Sequence, residues 1–300
     1  MKSLAPDFID RIIGVYGQAG QKWLDNLSFL QLDLAQRWSL SGLEPVIDLS
    51  YNYLVFAAAA NGQPVVLKIG VPNPELTSEI QALISYEGNG AVKLLDADPD
   101  QGALLLERLL PGADLRSIQD DEKATRIAAS LMEKLWHPVT HHPAFHTAAD
   151  WCRGFQRYRE VFPTDGPLPV DLLNQAANLA SDLLANPKEQ LLLHGDLHHM
   201  NILRGKDGWT AIDPKGVIGE PAFEIGSYLF NPYPDLIDHP HLKELQMKRI
   251  EIFTESLGLD KERMWAWSFV RGILGAIWSI EDGENWDYAL EIARILRDML

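Results

Sequence analysis

Leu191-Leu-Leu-His194-Gly195-Asp196-Leu-His198-His199-Met-Asn201-Ile-Leu203 decides how the chain is read. An aspartate, four spacers and an asparagine sit in a loop bordered on both sides by apolar residues. Seventeen positions past that aspartate, strand-like Trp209-Thr-Ala-Ile212 delivers Asp213-Pro214. Phosphoryl transfer asks little covalent chemistry of a protein; it asks for metal held on the phosphates and an acceptor hydroxyl held in line. An amide and a carboxylate from adjacent loops can grip Mg²⁺, a hard cation that prefers oxygen ligands. A second carboxylate, kept off the metal, can orient the hydroxyl and accept its proton. Singly, each of these residues suits a polar turn or a helix cap. The joint spacing carries the chemical reading.

Outward from this block, periodicity sets the architecture. Residues 7–40 read as two amphipathic helices, with Ile9, Ile12, Ile13 and Tyr16, then Trp23, Leu24, Leu27, Leu30 and Leu34 at helical spacing. After Ser41-Gly42 the period changes. Tyr53–Ala57 and Pro64–Ile69 flank Asn61-Gly62, a hairpin signature. A helix is expected over 74–86, then strands at Ala91–Leu95 and Ala103–Glu107. Leu110-Pro111-Gly112-Ala113-Asp114 reads as a hinge, with Asp114 capping the next helix. Further helices are expected at 121–136, 147–162, 170–185, 241–257 and 262–280, interrupted by the loop-and-hairpin block 191–221. Strands first and helices after predict an α+β protein of two lobes with a cleft between them. The first lobe spans 1–110, with a helical extension over 1–40, a five-stranded sheet and one helix; the second, mainly helical, spans 111–300.

His194-Gly195-Asp196-x4-Asn201 followed by Asp213 resembles the protein-kinase-like superfamily, whose signatures are His-Arg-Asp-x4-Asn and Asp-Phe-Gly. Gly195 in place of Arg points to its antibiotic-phosphotransferase branch. Three segments are similar to the aminoglycoside/hydroxyurea resistance kinases, which include streptomycin phosphotransferases. They are His194 through Asp213-Pro-Lys215-Gly-Val-Ile-Gly219-Glu220-Pro221-Ala-Phe223, Gly88-x-Gly90-Ala-Val-x-Leu-Leu95, and Ala103-Leu-Leu-Leu-Glu107-Arg108-Leu109. The likeness runs over about residues 43–230.

This resemblance implies an ATP- and Mg²⁺-dependent kinase with Asp196 as catalytic base and Asn201 and Asp213 as metal ligands. His194 supports the loop without reacting. Lys68, ending a strand, holds the α/β-phosphates. Its expected partner is Glu79 on the next helix, with Glu75 one turn earlier as rival. Glu107-Arg108-Leu109 fits a hinge that reads adenine through backbone groups. Two departures stand out. Glu224 occupies the place of a family Asp that braces the catalytic loop, and no Gly-x-Gly-x-x-Gly precedes Lys68. Asp48-Leu-Ser50-Tyr-Asn52, with Ser50 or Asn52 helping, is the candidate phosphate cover.

Composition narrows the partners. A net charge of −16 argues against nucleic acid, whose phosphates demand a basic footprint. The lone Cys152 allows no intrachain disulfide and fits a reducing compartment. Asp7 and Asp10 fall where a signal peptide needs an apolar stretch, and no run approaches the ~18 apolar residues of a membrane span. A soluble, cytoplasmic protein is expected. The histidines at 137, 141 and 142 and at 194, 198 and 199 lack a His-Glu-x-x-His zinc pattern. Glu281, Asp282, Trp286 and Asp287 would suit a cationic acceptor through ion pairs and stacking, and equally a solvated turn between helices. The expected reaction moves the γ-phosphate of ATP to a hydroxyl of a small cationic molecule. Alternatives are a kinase of a sugar, choline or amino alcohol, a metal-dependent phosphoesterase lacking its further ligands, and a non-catalytic nucleotide-binding protein.

Overall fold

In the computed structural model, which describes residues 4–47, 49–139 and 144–299, the chain divides into two units, Met1–Gly112 and Ala113–Leu300. The first unit begins with α1 (Pro6–Arg37), broken at Gly17, whose φ of 54° suits glycine. The two helical segments expected from the periodicity therefore form a hairpin. Gly20 makes it possible: a Cβ there would stand 2.5 Å from the carbonyl oxygen of Ile12. Phe8 and Trp23 meet edge to face across the pair.

Five strands follow: β1 (Ser41–Pro45), β2 (Tyr53–Ala58), β3 (Pro64–Ile69), β4 (Leu94–Asp98) and β5 (Ala103–Glu107), with α2 (Pro74–Tyr86) between β3 and β4. Their order in the sheet is β1-β2-β3-β5-β4, antiparallel throughout. Tyr53, Val55, Leu67 and Ile69 share one buried cluster with Ile12, Trp23, Leu27 and Leu34 of α1. Alternation then turns Lys68 to the opposite face of β3. The strand expected at Ala91–Leu95 instead begins at Leu94. Ala91 makes a single bridge outside any strand and Val92 makes none; both are buried.

The second unit contains α3 (Asp121–Leu135), β6 (His146–Thr147), α4 (Ala148–Cys152), α5 (Gly154–Val161), α6 (Val170–Ala185), β7 (Leu191–Leu193), β8 (Ile202–Arg204), β9 (Trp209–Ala211), β10 (Val217–Gly219), α7 (Pro221–Leu229), α8 (Leu242–Leu257), α9 (Lys261–Glu281) and α10 (Asp287–Arg297). Asp114 caps only a 3₁₀ turn, Leu115–Ser117; α3 takes its cap from Asp120. The single helix expected over 147–162 is two, parted at Arg153 and opened by a Thr147–Asp150 capping box. Buried Met264, Phe269, Ile273 and Ile277 make α9 the core helix of this unit. Among the described residues no helix is long and apolar enough to cross a membrane.

Candidate active site

The loop after β7 is tied into a small frame. Ile202 pairs with Ala211 across the β8–β9 hairpin, and Ile212 donates its N–H to the carbonyl of Asn201 at 2.9 Å. Asn201 and the residue next to Asp213 are thus opposite one another at the hairpin mouth. Asp213 itself has φ 58°, a left-handed conformation that an aspartate adopts at a cost of about 1 kcal/mol or more. The chain then turns back, and the N–H groups of Lys215 and Gly216 both reach the carbonyl of His194.

His194 is fully buried and cross-ties this frame. Its Nε2 lies 2.8 Å from the carbonyl oxygen of Ile212, and its Nδ1 accepts the N–H of Asp196 at 3.2 Å. That pattern needs a neutral ring with the proton on Nε2. Burial pushes its pKa down to about 4, in agreement. Asn201 Nδ2 donates to the backbone carbonyl of Asp196 at 2.9 Å, so its amide oxygen is the atom left to face a cation. With the Asp213 carboxylate this is a hard-oxygen donor pair, chemically suited to Mg²⁺.

The Asp196 side chain keeps 35% of its surface open, with His198 Nε2 at 3.6 Å. Burial alone would raise its pKa. His198, with Lys215 and Arg271 behind it, outweighs burial and holds the carboxyl well below the usual range. Glu224, in the first turn of α7, is 1% exposed and accepts the N–H of Gly195 at 3.0 Å. It also takes backbone hydrogen bonds from His194 and Leu197. One methylene longer than aspartate, it still braces three N–H groups of the loop. Glu220 has a different setting: Arg263, Trp267 Nε1 and the N–H of Lys188 surround it, so it ties α9 to the segment before β7.

In the first unit, Lys68 Nζ lies 2.6 Å from Glu79 Oε1, and both side chains are buried. Ser50 is exposed, and its carbonyl and that of Leu49 accept from Arg11 Nη1. Asp48 lies outside the described residues, as do His141 and His142. The Glu107 carboxylate accepts the N–H of Lys93 at 2.9 Å, and Leu109 is half-buried beyond it.

The acidic run is the turn joining α9 to α10. Glu281 forms a two-pronged ion pair with Arg157 at 3.0 and 3.1 Å, Asp282 caps α9, and Trp286 and Asp287 open α10. Glu281 is therefore already neutralised and is not an open anionic patch. Arg271 and Trp151 gather with His198 around Gly195 and Asp196, and neither of the two carries a role in the sequence-based expectations. For Arg271 the signal was there, a lone charge in the apolar run Phe269-Val-Arg271-Gly-Ile273.

The family model described as aminoglycoside/hydroxyurea antibiotic resistance kinase matches residues 37–283. A streptomycin 6-kinase of Streptomyces glaucescens is 31% identical, over 89% of this chain and 88% of that one. A hydroxyurea phosphotransferase of Kitasatospora aureofaciens is also 31% identical, over 89% and 77%. Among solved structures, the choline kinase LicA from Streptococcus pneumoniae superposes with a TM-score of 0.65 at 13% identity, covering 90% of this chain and 97% of that one. The aminoglycoside phosphotransferase APH(4)-Ia reaches 0.65 at 14%, covering 91% and 98%. The fold is the two-lobed, α+β protein-kinase-like fold. Carrying it, this small-molecule phosphotransferase with a hydroxyl acceptor belongs to the aminoglycoside/hydroxyurea antibiotic resistance kinase family.

Proposed function

We propose that the chain transfers the γ-phosphate of ATP to a hydroxyl of a small molecule, with cationic streptomycin-like aminoglycosides and uncharged hydroxyurea as the first candidates. The observation that carries this reading is the frame around Asp196: an ionised, part-open carboxylate beside a hard-oxygen pair at one hairpin mouth. In it Asp196 orients the acceptor hydroxyl and takes its proton. Asn201 and Asp213 would hold Mg²⁺, which when bound neutralises charge on the phosphates. Lys68, fixed by Glu79, supplies the cation for the α/β-phosphates. Glu107 to Leu109 offer backbone groups to the adenine, and Ser50 contributes to the phosphate cover. His194 and Glu224 keep the loop in shape.

The Arg157–Glu281 pair favours a second reading of the acceptor alone, an uncharged one such as a sugar, because it engages one carboxylate of the expected cation site. An ATP-consumption screen with Mg²⁺ over streptomycin, other aminoglycosides, hydroxyurea, choline, simple amino alcohols and sugars separates the two. Turnover only with the last group would replace the proposed acceptor. ATP binding without turnover of any of them would make the chain a non-catalytic nucleotide binder.

A further inference from the structure

Arg271 has no part in the scheme above, yet it is a buried charge tied directly to the catalytic loop. It stands in the middle of α9 and is 8% exposed. Its guanidinium lies 4.7 Å from the ring centre of Trp151, 5.0 Å from Phe223 and 5.3 Å from Trp278. Nη2 donates to the carbonyl of Gly195 at 3.0 Å and to Ser227 Oγ at 2.6 Å, and Ser227 Oγ reaches the same carbonyl at 3.4 Å. Nη1 is buried with no hydrogen-bond partner.

The Gly195 carbonyl belongs to the peptide unit whose N–H is that of Asp196, and His194 Nδ1 holds that N–H. The planar unit entering Asp196 is therefore gripped at both edges, by Arg271 and by His194. The unit before it gives its N–H to Glu224. With these two planes held, and the Asp196 carbonyl beyond them tied to Asn201 Nδ2, the Asp196 carboxylate keeps only its own side-chain rotations. Only glycine fits at this position: its φ is 85°, and a Cβ would stand 2.8 Å from Val217. For stability alone a buried arginine with an idle N–H is a poor choice, because apolar residues of similar volume often serve as well or better. The aromatic walls favour a planar cation that stacks.

We propose that Arg271 is a positioning residue, a ring-caged guanidinium that fixes the Gly195–Asp196 peptide and through it the aim of the Asp196 carboxylate. The proposal rests on the reading of Asp196 as the base, and its test is arranged so that the two can fail separately.

Arg271→Met and Arg271→Lys are compared with wild type in the full chain. Amide hydrogen exchange needs no acceptor. In Arg271→Met the segment 194–198 should exchange about tenfold faster, with α8 within about twofold of wild type. With whichever acceptor wild type turns over, kcat should fall about 100-fold while KM for ATP stays within about twofold. Arg271→Lys, which keeps the charge and loses the fork, should fall between. Unchanged exchange at 194–198, an equal rise over the whole second unit, or an unchanged kcat would each overturn the proposal. Should Arg271→Met not fold, Ser227→Ala takes its place, with exchange at 194–198 expected to rise about threefold; no rise overturns it. If wild type phosphorylates nothing in the screen, the proposed function fails while exchange still decides Arg271.

Discussion

Glu224 Oε1 accepts the N–H of Gly195 at 3.0 Å from a position that is 1% exposed. Burial pushes its pKa up to about 7, against the pull of Arg271 and three backbone N–H groups. A carboxyl whose folded pKa is raised binds its proton more tightly in the folded state, so its contribution to stability is complete below the unfolded value and is lost as pH climbs through the folded one. Relative to Glu224→Gln, which cannot ionise, wild type should lose stability between about pH 4.5 and 7, by a few kcal/mol in total. Urea unfolding of both proteins at pH 5 and pH 8 measures the difference. A gap that is flat with pH would mean the carboxylate is charged throughout.

The Lys68–Glu79 pair separates stability from chemistry. Removing one partner of a buried pair leaves the other charge uncompensated, so Lys68→Met should destabilise the first unit by about 3–5 kcal/mol. Lys68→Met with Glu79→Leu removes both charges and should restore most of that loss. Neither protein should turn over ATP at more than a few per cent of the wild-type rate, because the cation for the phosphates is gone in both. A double variant that regained activity along with its melting temperature would leave Lys68 as a structural residue.

Asp213 holds a left-handed conformation that glycine adopts without strain. Asp213→Gly should therefore leave thermal stability equal or raise it by up to about 1 kcal/mol, while abolishing Mg²⁺-dependent nucleotide binding. Asp196→Ala should keep nucleotide affinity and lose phosphotransfer by about three orders of magnitude. Calorimetric titration of ATP with and without Mg²⁺, beside initial rates, distinguishes the two. Equal losses of affinity in both variants would show the assigned roles to be mistaken.

What the chain discloses before folding follows from how local each signal is. α2, α3, α6, α8 and α9 are readable because apolar residues recur at helical spacing or run long enough to need a helix. α7 is not, since Ala222 through Leu229 are buried on every side and show no period. The sharing of one hairpin mouth by Asn201 and Asp213 is legible because β8, its turn and β9 are contiguous. The cage around Arg271 is illegible, because its partner carbonyl lies 76 residues away and its rings come from three helices. Likewise, Glu281 looks like part of an acidic patch until Arg157, 124 residues away, is seen to neutralise it.

One helix allows the same substitution to act in both directions. Gly14 and Gly20 both lie in α1, on either side of the break at Gly17. Gly14 is exposed, and a Cβ there meets nothing within 4 Å. Gly14→Ala should stabilise by about 0.5–1 kcal/mol, since alanine loses less backbone freedom in a helix. Gly20 is buried against the first segment, where a Cβ would come within 2.5 Å of the Ile12 carbonyl oxygen and 3.0 Å of its side chain. Backbone cannot yield there without moving Phe8 and Ile12 off the sheet they cover. Gly20→Ala should therefore destabilise by about 1–3 kcal/mol, as overpacking does. Melting curves of the two single variants should shift in opposite directions from wild type. Shifts of the same sign would mean that the two helical segments of α1 do not close on one another in solution.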